Sequence, residues 1–220
     1  MMYEETELIF DFPSNIAQKL LKDDIDIGLV PVAVLPLMKE YHIISDYCIG
    51  CDGAVASVCL FSDVPLQSIK KVLLDYQSRT SVALLKVLLR EHWKINPELI
   101  PAEKGFEQTI CGTTAGLVIG DRAFKQLQVS KFHYDLGLAW KEMTGMPFVF
   151  AAWVSNKKLP GAFIESFNKT TAEGMKHIET IVAQNKFDGY DLYKYYTRNI
   201  SYLLDENKSN GLKLFLKKIE

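Results

Sequence analysis

Three hydroxyls and a guanidinium stand side by side at Ser78, Arg79, Thr80 and Ser81. They follow the short apolar stretch 72–74 and precede a run in which Val82, Leu85, Leu88 and Leu89 recur at helical spacing. A helix starting there leaves its first N–H groups unpaired and its positive dipole end toward the hydroxyls, a setting that holds an anion. Arg79 adds a planar fork that can grip a carboxylate through two hydrogen bonds. One Ser or Thr is enough to cap a helix. The four together are therefore read as an anion site, with simple capping by Ser78 or Thr80 as the alternative. Asp75, just upstream, either orients Arg79 or caps the loop.

A second polar group, Gly120, Asp121 and Arg122, closes the apolar stretch 115–119. The end of a buried strand is where α/β proteins place ligand contacts. An internal ion pair or an N-cap is the other reading of Asp121 and Arg122. Cys48 and Cys51 form a C-x-x-C without the second pair a zinc site needs. A redox C-x-x-C opens a helix, whereas 43–49 reads as a strand, so packed, reduced thiols are expected and no metal. His42, His92, His133 and His177 lie outside these motifs and are assigned to the surface or to strand ends.

Short apolar strands alternating with amphipathic helices must position these groups, which places the chain in the α/β class. Strands are predicted over 6–10, 26–30, 43–49, 54–61, 72–74, 98–100, 115–119 and 148–154. Helices are predicted over 13–21, from 31 toward 39, and over 79–93, 136–143, 160–183, 192–199 and 205–218. Strands on both sides of a compact middle section predict two lobes joined by crossing strands, with a cleft between them. The first lobe takes 1–57 and 149–220, the second 58–148, and the strand 54–61 runs between them.

With 220 residues, 48% hydrophobic and 24% charged, the chain has the balance of a soluble globular protein. A net charge of −2 argues against a nucleic-acid partner. Lys208, Lys213, Lys217 and Lys218 alternate with Leu212, Leu214, Phe215 and Leu216, as on the polar face of a terminal helix. No apolar run approaches a membrane span and no signal peptide is recognised before Met1, so a cytoplasmic location is expected.

Four segments, taken in order, carry a resemblance. They are Asp46-Tyr47-Cys48-Ile49-Gly50 with Ala54-Val55-Ala56-Ser57-Val58, the Ser78–Ser81 junction, Gly112-Thr113-Thr114 through Gly120-Asp121-Arg122-Ala123, and Asp135-Leu136-Gly137 with Trp140 and Gly145-Met146-Pro147. With Asp26-Ile27-Gly28-Leu29-Val30-Pro31 they resemble the chorismate dehydratases of the futalosine route to menaquinone, over nearly the whole chain. The resemblance implies a two-lobe periplasmic-binding-protein type II-like fold. It also implies conversion of chorismate to 3-enolpyruvylbenzoate with loss of water, without metal or organic cofactor. The partner implied is a small dicarboxylate, with neither nucleic acid nor membrane, bound by a monomer or homodimer. Substrate contacts are expected from Ser57, Ser78, Arg79, Thr80, Ser81, Gly120, Met146 and Pro147. Ser57 matches the family's serine after the glycine turn; its other reading is a strand hydroxyl bonded to solvent or backbone. Met146 has core packing as its other reading.

Chorismate's elimination removes a ring hydroxyl and the proton on the neighbouring ether-bearing carbon. That proton is conjugated to the ring carboxylate, so its removal spreads negative charge there, and donors aimed at the carboxylate lower the barrier. Ser78–Ser81 suits that role, and Ser57, Arg79 and Asp121 are the catalytic candidates. The base is either Asp121, if desolvated, or the substrate's own enolpyruvyl carboxylate, which the lack of a histidine or lysine in the motifs favours. Family members open with a further βα unit whose Ser-Tyr-x-Asn-Thr-like loop faces the cleft. This chain is expected to begin at about the second strand and to lack that unit. The alternatives are the related 1,4-dihydroxy-6-naphthoate synthase, or a noncatalytic solute-binding or ligand-sensing protein of the same fold.

Overall fold

A computed structural model describes residues 6–185 and 187–220. In chain order the elements are α1 (Pro13–Leu21), β1 (Ile27–Pro31), β2 (His42–Cys51), β3 (Val58–Ser62), β4 (Lys71–Leu74), α2 (Arg79–Leu88), β5 (Glu98–Pro101), β6 (Thr114–Ile119), α3 (Asp121–Leu127), β7 (Phe132–Asp135) and α4 (Leu136–Thr144). They continue with β8 (Phe148–Ser155), α5 (Gly161–Met175), α6 (Ile178–Gln184), α7 (Leu192–Lys194), β9 (Ser201–Leu203) and α8 (Glu206–Ile219). One turn of π-helix, Leu89–Trp93, extends α2, and another, Tyr195–Asn199, extends α7.

The strands form two sheets. The first has the order β1-β8-β2-β9, every pairing antiparallel, with the apolar β8 run buried at its centre. The second has the order β5-β4-β6-β3-β7; β4 runs parallel to β5 and β6, while β3 is antiparallel to β6 and β7. Side chains facing the helices join both sheets into one apolar cluster that includes Leu60, Leu84, Leu88, Leu117, Trp140, Phe148 and Phe215. Trp140 meets Phe148 edge-on at 5.2 Å and donates from Nε1 to the Pro147 carbonyl at 3.2 Å. That bond satisfies the polar end of a fully buried indole.

Pairing direction gathers the polar motifs. The parallel strands β4 and β6 end at the same edge of the second sheet. The antiparallel β3 begins there, with Val58 opposite Ile119, and β7 ends there, with Asp135 opposite Cys59. The segments after β4 and β6, the residue before β3 and the last residue of β7 therefore share one edge, the carboxyl edge of the parallel pair.

Several expectations are corrected. Residues 6–10 form no strand: β1 lies at the sheet edge with β8 as its partner, and Leu8, Ile9, Phe10 and Phe12 are exposed. Without a neighbouring ladder, an apolar segment has nothing to extend against. The strand expected over 54–61 starts only at Val58, because residues 54–57 turn and Ala56 takes the left-handed conformation at φ 64°. Lys208 is not on a solvated face. It is 3% exposed, with Nζ 3.3 Å from Asp205, while Lys213 and Lys217 are exposed and Lys218 is bound to Glu91. The helix expected over 160–183 is interrupted at 176–177, separating α5 from α6.

Cys48 and Cys51 lie within β2 and Cys59 within β3, all buried, whereas Cys111 is exposed. Burial pushes the Cys48 thiol up to about 12 and raises those of Cys51 and Cys59 well above the ordinary thiol value. Because the thiolate is the reactive form, a thiol reagent at pH 8 is expected to titrate one of the four cysteines in the native protein and all four in denaturant. Two or more fast native equivalents would contradict this packing.

Candidate active site

At the start of α2 the hydroxyls are largely committed. Ser78 Oγ accepts from the Ser81 N–H at 3.1 Å and donates to Ser81 Oγ at 2.7 Å, so Ser78 is the N-cap. Thr80 Oγ1 accepts from the Ala33 N–H at 3.2 Å, tying α2 to the turn after β1. Capping by Ser78 leaves the N–H groups of Arg79 and Thr80 without an intrahelical acceptor. Arg79 is exposed and has no hydrogen bond or ion pair among the described residues. It borders a cleft of about 570 Å³, together with Ala33, Tyr76, Lys86, Arg90 and the C-terminal residues of α8. Arg90 and Lys218, on the same wall, are spent on Glu91. A guanidinium without a partner among the described residues, at a helix start with two N–H groups to spare, has the chemistry to receive an anion.

Asp75 does not orient Arg79. It is 3% exposed and accepts from the Gln77 N–H at 2.8 Å, the Ile119 N–H at 3.3 Å and Arg122 Nη2 at 2.7 Å. Arg122 also holds Glu107 at 2.6 Å and Gln77 Oε1 at 2.8 Å, with its guanidinium 5.2 Å from the Tyr76 ring centre. This network locks the segments after β4 and β6 together, and is the ion pair the sequence allowed for Arg122. Asp121 is exposed in the first turn of α3 and is not desolvated. Gly120, at φ 64°, has open space where a side chain would project, and its N–H donates to the Ser57 carbonyl at 2.8 Å.

Ser57 is 4% exposed, and its hydroxyl meets Tyr195 Oη at 2.9 Å rather than solvent or backbone. The turn before it is held by Asp135, whose carboxylate accepts from the N–H groups of Val55 at 3.1 Å, Ala56 at 2.6 Å and Leu138 at 3.0 Å. Asp135 thus caps α4 and at the same time holds a non-glycine residue at positive φ, a conformation that persists only when its surroundings impose it.

Across nearly its full length, residues 2–220, the chain matches the sequence profile of the menaquinone biosynthesis family. The chain belongs to that family. A chorismate dehydratase from Thermus thermophilus is 28% identical over 230 residues, which span 92% of this chain and 83% of the relative. Among solved structures, a protein from Archaeoglobus fulgidus superposes with a TM-score of 0.70 at 15% identity, covering 96% of this chain and 84% of the other. The periplasmic aliphatic sulphonate binding protein SsuA from Escherichia coli superposes with a TM-score of 0.56 at 14% identity, covering 96% and 74%. These likenesses establish the periplasmic-binding-protein type II-like fold, two lobes flanking a cleft.

Of the residues singled out from the sequence, Ser57, Gly120 and Asp121 come together at the sheet edge, and Ser78, Arg79, Thr80 and Ser81 cluster on the same edge one strand away. Met146 and Pro147 follow α4 and lead into β8. They pack beneath α8, where a side chain at Gly211 would strike the Pro147 carbonyl at 2.3 Å and lies near Met146. Tyr195 and Ala33 were not foreseen as neighbours of the site. Tyr195 is 138 residues from Ser57, and no spacing or motif links the two.

Proposed function

We propose that this chain is a chorismate dehydratase, forming 3-enolpyruvylbenzoate and water in menaquinone biosynthesis by the futalosine route, in the cytoplasm. Arg79 is the observation that carries the reading: a guanidinium without a partner among the described residues, bordering a cleft at a helix N-terminus, suited to one of the two carboxylates of chorismate. The similarity to the Thermus thermophilus dehydratase supports the choice of substrate.

In this reading 58–148 form one lobe and 1–57 with 149–220 the other, with the substrate between them. Arg79 and the free N–H groups of Arg79 and Thr80 hold the ring carboxylate. Loss of the proton from the ether-bearing ring carbon sends an electron pair through the conjugated double bond toward that carboxylate, where these donors stabilise it. The pair then returns to expel the neighbouring hydroxyl, which leaves with a proton as water, and the ring becomes aromatic. Asp121, exposed rather than desolvated, is poorly placed to act as the base. The substrate's enolpyruvyl carboxylate takes the proton, with Ser57 and Gly120 positioning it.

Incubation of the chain with chorismate, followed by liquid chromatography and mass spectrometry, tests the proposal. Formation of 3-enolpyruvylbenzoate is expected. Binding of chorismate without product would assign the chain a binding or sensing role instead, and absence of binding would overturn the substrate assignment.

A further inference from the structure

A serine hydroxyl can donate to a ligand only if its proton is free. Ser57 Oγ and Tyr195 Oη lie 2.9 Å apart, and neither has a second hydrogen-bond partner among the described residues. Two hydroxyls that share one bond hold two protons, one between them and one left over. Which hydroxyl keeps the spare proton decides what the pair can do.

The tyrosine ring is fixed on several sides, with Phe124 edge-on at 5.1 Å, Tyr196 at 5.1 Å and Tyr190 at 6.4 Å between ring centres. Burial, reinforced by the negative charge of Asp121, keeps its phenol protonated, although the Ser57 bond acts in the opposite direction. The Ser57 backbone is equally fixed: its N–H donates to the Val55 carbonyl and its carbonyl accepts from Gly120, both at 2.8 Å. A phenol is the stronger acid of the two and hence the better donor. Gly120, which donates to the Ser57 carbonyl, has open space where a side chain would project.

The geometry points to Tyr195 as a positioning residue, whose phenol donates to Ser57 Oγ and so leaves the serine proton free for an oxygen of a carboxylate-bearing ligand. This rests on the dehydratase reading for the ligand's identity. The pair also joins the two sheets, because Tyr195 lies in the turn leading to β9 and Ser57 precedes β3.

Chorismate turnover and binding are compared for wild type, Ser57→Ala, Tyr195→Phe and the double variant. Each single change is expected to lower kcat/KM at 25 °C by about tenfold, and the double variant to be no lower than Ser57→Ala. A merely structural bond would lower the thermal midpoint of Tyr195→Phe and leave its kcat/KM within twofold of wild type, which would overturn the inference. Effects that multiply in the double variant would also overturn it. Wild-type binding without turnover removes the dehydratase reading alone, and the same cycle, read in Kd, then decides the role of Tyr195.

Discussion

Arg79→Ala is expected to weaken chorismate binding by about 30-fold, while moving the thermal midpoint by less than about 2 °C. The two effects separate because Arg79 has no partner among the described residues. Removing it strands no buried group, and the N-cap at Ser78 stays in place. The loss is a charge-assisted, two-pronged bond to a carboxylate, worth about 2 kcal/mol in a partly open cleft. Arg79→Lys keeps the charge but loses the fork, so it should recover only part of the affinity. Calorimetric titration with chorismate and a thermal scan of the same samples give both numbers. If Arg79→Ala bound as tightly as wild type, the carboxylate would have to sit elsewhere.

A second substitution should act in the opposite sense, on stability first. Asp135→Asn keeps the shape of a side chain that accepts from three backbone N–H groups, at Val55, Ala56 and Leu138. The amide nitrogen would face donors that now face an oxygen, leaving at least one buried N–H unpaired. A cost of about 3 kcal/mol follows, or about 6–12 °C in thermal midpoint for a chain of this length. Turnover should fall as well, since the turn that aims Ser57 is held at Ala56 by this carboxylate. Burial raises the Asp135 carboxyl above the ordinary carboxylate range, even against its N–H donors. As pH falls, it therefore protonates before an exposed aspartate would, and a protonated carboxyl no longer accepts from all three N–H groups. Wild-type activity should decline on the acid side at a higher pH than exposed carboxylates titrate, and Asp135→Asn should lack that limb. An unchanged midpoint in Asp135→Asn would show that the turn holds itself.

Much of the fold was legible where local chemistry decides it. The apolar stripe of α2 and its capping serine, the continuous apolar run of β8, and the proline opening α1 all lie where the sequence places them. The family-wide α/β fold with two lobes was legible too. What stayed hidden depends on residues distant in sequence. The segment 54–57 has the apolar character of a strand, and only Asp135, 80 residues from Val55, turns it. Residues 6–10 look like a strand and lack a ladder. Lys208 shares the helical spacing of exposed lysines, yet α8 buries it against β2, near Gly50. Of the site, the Ser78–Ser81 cluster was legible as a junction, but not which of its groups remains free; Thr80 is taken by Ala33, in the turn after β1 of the other sheet. Tyr195 carried no signal at all.

The order of strands in the first sheet also governs how the chain emerges during synthesis. β1 and β2 are never paired with each other; both wait for β8, which lies between them. Every strand of the second sheet, in contrast, falls between residues 58 and 135, and its last pairing can form before β8 has been made. A nascent chain would therefore carry two early, apolar, unpaired strands while a later segment folds ahead of them, a state exposed to wrong partners. The sheet that holds β1 and β2 closes after the sheet encoded between them and β8.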